Sequence, residues 1–151
     1  MIELEGAIVD WLRDDATLVS LTQHQEGSGA VAADARIMFR YPDKGIAVPS
    51  LILVPDSDSD PFVGETIYVS SYNFECYGSS RVEASRILSR VADLFTNKDT
   101  LERRIHGRGD ISNDEVRVLS TSLNAISSVR LDSELRIWIG FCTVEFRWLY
   151  L

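Results

Sequence analysis

Apolar residues near the N-terminus fall at Leu4, Ile8, Trp11 and Leu12, the spacing of one helical face, while Glu3, Glu5 and Asp10 take other faces. The pattern predicts an amphipathic helix over residues 2–13. Gly6 costs that helix about 1 kcal/mol relative to alanine, so it depends on packing against something. The stretch "DDATLVSLT" predicts a short second helix with Asp15 as its N-cap. Residues 23–34, "QHQEGSGAVAAD", show no periodicity and read as a mobile loop.

Alternation takes over next. "RIMFR" (36–40) is a short strand closed by the turn-rich "YPDKG", and "AVPSLILV" (47–54) is a second, with Pro49 near its start where a missing N–H is tolerated. "TIYVSSYNFECY" (66–77) runs back as a third. In it Ile67 and Val69 share one parity and Tyr72, Phe74 and Cys76 the other, which predicts a bulge at Ser70–Ser71. The hairpin so formed places Asp56, Asp58 and Asp60 of "VPDSDSDPFVGE" on an exposed tip.

The clearest helix follows. Ser80 and Glu83 make an S-x-x-E capping box, and Ala84, Ile87, Leu88, Val91 and Phe95 form one apolar stripe, with Arg81, Arg86, Arg90 and Asp93 outside it. Ion pairs Glu83–Arg86 and Arg90–Asp93 are expected along its outer face. Residues 96–114 are polar and turn-rich, with one helical turn around "TLERRI". A long closing hairpin over "EVRVLSTSLNAISSVRL" and "ELRIWIGFCTVEFRWLYL" turns at Asp132–Ser133, and its last strand shifts parity at Gly140, where a bulge is expected. This order implies an α+β fold: a mainly antiparallel β-sheet of about four to six strands with two main helices packed on one face. The pattern reads as a single domain over residues 1–151, with no internal repeat or linker.

Charge changes the picture more than composition does. Net charge is −8, which argues against a grip on nucleic acid, since phosphate neutralisation needs clustered Lys and Arg. It is compatible with a surface that DNA slides past. No apolar run approaches the ~18 residues of a membrane span. The start, "MIELEGAIVDW", lacks the basic region and cleavage site of a signal peptide, and the two cysteines, Cys76 and Cys142, lie in strand-like runs as small buried hydrophobes. A cytosolic setting is expected.

Chemical motifs are sparse. A helix–loop–helix calcium site counted from Asp56 needs glycine at its sixth position and glutamate at its twelfth, but Pro61 and Ile67 stand there. Arg108-Gly109-Asp110 matches adhesion tripeptides, yet Gly107 and Gly109 are better read as turn residues. The two histidines, His24 and His106, lie in no nucleophile–base pattern, and "EGSGAVA" lacks the G-K-[ST] of a phosphate loop. No catalytic residue, cofactor or metal ligand is expected, and the chain does not read as an enzyme.

Taken together, "IVDWLRDDATLVSLT", "RIMFRYP", "VPSLILVPDSD", "YVSSYNFECYGSSRVEASRILSRVADLF" and the terminal "CTVEFRWLY" resemble the tail terminator (tail-completion, head–tail joining) proteins of long-tailed bacteriophages. The most specific part is the strand "YNFECYG" running directly into the helix "SSRVEASRILSRVADLF". The resemblance implies a virion protein of the phage neck, assembled in the host cytoplasm. It implies a homo-oligomeric ring, commonly a hexamer, that caps the tail tube, ends its polymerisation and meets the head–tail connector or stopper. DNA passes through the channel without sequence-specific binding. On this reading Asp56, Asp58 and Asp60 face the channel or an adjoining ring, and Tyr41, Phe62, Arg81, Arg86, Arg90 and Tyr150 lie at subunit contacts. Two alternatives stand beside it: another connector or stopper protein of the neck, and an acidic monomeric binding protein such as a DNA mimic.

Overall fold

The computed structural model describes residues 2–25, 34–42, 45–61, 66–96 and 111–151, with the side chains of all but 2 and 57–61. Phe62, the turn around "TLERRI", His106 and the Arg108-Gly109-Asp110 tripeptide lie outside these residues, as does the middle of the loop over 23–34. That loop leaves and returns through an antiparallel bridge between Gln25 and Asp34.

The elements in chain order are α1 (Ile2–Arg13), α2 (Ala16–Thr22), β1 (Ile37–Phe39), β2 (Ser50–Pro61), β3 (Ile67–Gly78), α3 (Arg81–Thr96), β4 (Val116–Ile126), β5 (Arg130–Asp132) and β6 (Ile137–Tyr150). The fold is α+β. One sheet has the order β1-β2-β3-β6-β4, with β5 pairing β6. Only β1 and β2 run parallel; the other pairs are antiparallel. The helices cover one face of it. Leu4, Ile8 and Leu12 of α1 and Ile87 and Val91 of α3 meet Phe74, Val144, Phe146 and Trp148 in one core. Phe95 joins the layers, tilted on Trp11 at 5.5 Å and Phe74 at 5.0 Å and edge-on to Phe146 at 5.6 Å.

Neither bulge expected from the sequence is present in the β3–β6 pairing. β3 pairs β6 without interruption from Ile67–Leu149 to Gly78–Trp138. Ser70 occupies a core position, buried with Tyr72, Phe74 and Cys76. Its hydroxyl accepts a 2.8 Å hydrogen bond from Trp148 Nε1, which satisfies both polar groups inside the core. Ile67 and Val69 are apolar residues on the opposite, half-buried face, so apolar character switched parity while the backbone did not.

Gly140 likewise lies within an unbroken register, opposite Cys76. A Cβ there would stand 2.9 Å from Val129 Cγ2 and 3.0 Å from Leu88 Cδ2, so glycine lets α3 settle closely on β6. The register shifts fall instead in β2, on either side of Ser57, and in β4, between Val118 and Ser120 and between Leu123 and Ala125. The expected long strand before Asp132 breaks into β4 and β5. At the break the Ser127 hydroxyl accepts from Phe141 N at 2.9 Å, while Ser127 N donates to Phe141 O at 2.8 Å.

The junction of β3 and α3 is tight. A Cβ on Gly78 would lie 2.6 Å from Ala84 N. Ser80 Oγ accepts from Glu83 N at 3.2 Å, as the capping box requires, but the Glu83 carboxylate reaches back to Ser79 N at 2.9 Å rather than to Ser80. At the other end of the sheet β1 has its outer edge sealed by side chains. Ile37 N donates to His24 Nδ1 at 3.2 Å, and Ile37 O accepts from Arg13 Nε and Nη2 at 3.0 and 2.8 Å. Cys76 and Cys142 are free and buried.

Candidate functional site: an arginine groove and an acidic strand

The stripe Ala84, Ile87, Leu88, Val91 and Phe95 is buried as its spacing requires, with Leu94 beside it, and this turns Arg81, Arg86 and Arg90 to the outside of α3. Alongside lies α2, whose N-cap is Asp15. The Asp15 carboxylate accepts from Leu18 N at 3.2 Å and also takes Arg90 in a two-point pair, Nε to Oδ2 at 2.9 Å and Nη2 to Oδ1 at 2.8 Å. Hydrogen bonding to Asp15 raises the Arg90 guanidinium pKa above its usual value, with a further attraction from Asp93. The expected Arg90–Asp93 partnership is therefore secondary to one that crosses between helices. Sequence showed Asp15 as a cap and Arg90 as a surface charge. Only the crossing of α2 and α3 joins them.

Between those two helices runs an open groove of about 470 Å³, walled by Thr17 and Leu21 of α2 and by Arg81, Val82, Arg86, Arg90 and the acidic Asp93 of α3. All three arginines expected at a contact thus line one surface. Val82 is 57% exposed there, an apolar side chain among charged ones. Arg81 and Arg86 are exposed and have no ion-pair partner among the described residues.

Asp56, Asp58 and Asp60 do not sit on a hairpin tip. β2 continues through them to Pro61, still paired with β3 at Ser57–Ser71, Asp60–Val69 and Pro61–Tyr68. The two register shifts absorb residues whose types favour turns, so the strand runs further than the sequence suggests. Asp56 Oδ1 accepts from Asn73 Nδ2 at 3.3 Å, and Asn73 Oδ1 accepts from Thr143 Oγ1 at 2.6 Å, a polar row across β2, β3 and β6. Because β1 pairs only Leu51–Leu53, the acidic half of β2 forms an edge of the sheet. Prolines, aspartates and irregular register are features that blunt an edge against indiscriminate strand pairing.

Tyr41 and Tyr150, also expected at contacts, are 53% and 45% exposed. They lie apart from the groove. The Tyr41 hydroxyl donates to the Glu75 carboxylate at 2.7 and 2.6 Å, and the Tyr77 hydroxyl donates to the same carboxylate. Burial, reinforced by Glu75, holds both tyrosine hydroxyls above their ordinary pKa. Tyr150 packs edge-on to Trp148 at 5.0 Å and to Tyr68 at 5.5 Å.

The reactive residue types serve structure. His24 Nδ1 accepts from Arg36 N at 3.0 Å as well as from Ile37 N, fixing the entry to β1. Burial pushes the Cys142 thiol up to about 12 and raises Cys76 well above its usual value, which keeps both protonated and poorly nucleophilic. Among the described residues no group of three His, Cys, Asp or Glu is placed to hold a metal ion, and no helix is long and apolar enough to cross a membrane.

No family model and no curated protein matches the sequence. Among solved structures, the chain is similar to one from the virion of a native gene transfer agent particle, with a TM-score of 0.61 and 12% sequence identity. The match covers 99% of this chain and 96% of that chain, so the two share a fold over their whole lengths.

Proposed function

We propose that this protein is a non-enzymatic structural component of a phage-like virion, acting at the neck as a ring that caps the tail tube and joins it to the head connector. The observation that carries this reading is the end-to-end fold likeness to a virion chain of a gene transfer agent particle. The resemblance to tail terminators, carried by the strand "YNFECYG" leading into α3, supports the narrower reading of a neck ring.

Physical features fit the role. A net charge of −8 spares DNA a basic lumen that would retain it at each step of passage. Tyr41, Tyr150 and the arginines of α3 are surface groups available to neighbouring subunits. Contacts between two different surfaces of one chain generate rings when the rotation closes. One copy would meet the next through such a pair, with the tube protein on one side of the ring and the connector on the other.

The test is mass in solution by light scattering, with negative-stain images of the same fraction, followed by incubation with purified tail tubes. Closed rings, and protein bound at one end of each tube, are the expected results. A chain that neither forms rings nor decorates tube ends would overturn the proposal.

A further inference from the structure

We infer that the groove between α2 and α3 is the socket of the subunit contact and that its occupant is the acidic edge strand of a second copy, residues 55–61. This rests on the ring reading above and says which surfaces close the ring.

Charge complementarity is the first argument. On a chain of net charge −8, Arg81 and Arg86 stand exposed with no ion-pair partner among the described residues. Between Pro55 and Pro61 the sequence holds three aspartates and no basic residue. Arg86 and Arg81 offer two-point recognition of them, as Arg90 already does for Asp15.

The second argument is geometric. The groove lies on the helical layer, while the acidic strand is an edge of the sheet. The two surfaces are different and each subunit offers one of each, so copies can join head to tail, a contact that closes into a ring when the rotation allows. Prolines and irregular register disfavour generic strand addition to this edge. Val82, 57% exposed, supplies apolar area for the contact to bury between the charges.

The experiment uses the full chain and two charge-reversal variants, R81E/R86E and D56K/D58K/D60K. Both should fold. Glu at position 81, in the first turn of α3, suits the helix dipole, position 86 is exposed, and lysine suits an edge strand, so circular dichroism and urea midpoints should stay near wild type. Each variant alone should need at least about a hundred-fold more protein to assemble, because like charges face each other in the contact. An equimolar mixture restores complementary charge at every junction and should form rings at close to the wild-type concentration, less readily at high salt. Rings from the wild type and equally from each single variant overturn this contact and leave the ring reading standing. Wild-type dimers or open chains that the same substitutions abolish, and the mixture restores, support the contact and overturn the closed ring. A wild-type chain that stays monomeric up to its solubility limit, with or without tail tubes, overturns both.

Discussion

Asp15 is the residue on which the groove's geometry turns, and its removal is the sharpest test of how α2 is held. Asp15→Ala deletes an N-cap, worth about 1 kcal/mol. It also deletes a two-point, charge-assisted pair with Arg90. Hydrogen bonds to charged groups contribute roughly 1.5–3 kcal/mol when shielded from water. Here the Asp15 side chain is 6% exposed but Arg90 is 32% exposed, so solvent screening reduces the pair to about 1–2 kcal/mol. The sum is about 2–3 kcal/mol, or roughly 5–10 °C in Tm for a domain of this size. Asp15→Asn keeps the cap and loses the charge, and should cost about 1 kcal/mol. Urea denaturation of Asp15→Ala, Arg90→Ala and the double variant closes a mutant cycle, with an expected coupling of about 1–2 kcal/mol. Additive losses, with coupling under about 0.3 kcal/mol, would show that the pair does not brace α2 against α3. The groove would then need another explanation for its shape.

Three further outcomes follow from the same reasoning. Gly78→Ala should destabilise far more than Gly140→Ala, because a methyl at 78 meets the backbone of Ala84 while one at 140 meets only the ends of Val129 and Leu88. Overpacking of the second kind costs about 1–3 kcal/mol, and urea midpoints in the reverse order would contradict the assigned contacts. Ser70→Ala strands the Trp148 indole N–H in the core and should cost about 1–3 kcal/mol by the same assay. A neutral result would mean the bond is absent. Glu5 is 4% exposed, and its Oε2 has no hydrogen-bond partner among the described residues. Burial raises its pKa, so its contribution to stability is fully present below the unfolded value near 4.5 and is lost as pH rises through the folded value. Glu5→Gln should therefore be more stable than wild type at neutral pH and lose that advantage as pH falls through the raised folded value, completely by about 4.5. A gap in midpoint that does not change with pH would refute it.

Helices α1, α2 and α3 were legible to within two residues, with the Asp15 cap and the Ser80–Glu83 pair, because caps and 3.6-residue stripes are local. The α+β order was legible for the same reason, as each strand has its own alternating run. Sheet register was not. Ser70 and Gly140 looked like disturbances because sequence reports polarity and size, whereas Ser70 is accommodated by Trp148, 78 residues away in sequence, and Gly140 by the approach of α3. The acidic stretch was misplaced in the same way: Asp and Ser favour turns locally, and pairing with Val69 and Ser71 overrode that preference. The arginines were visible one by one, yet the groove exists only because Asp15, capping α2, also holds Arg90 of α3. Sequence by itself determined what each segment would form and how the charge is divided. Tertiary packing alone decided which distant groups meet, since a contact across the fold depends on both partners and neither encodes it alone.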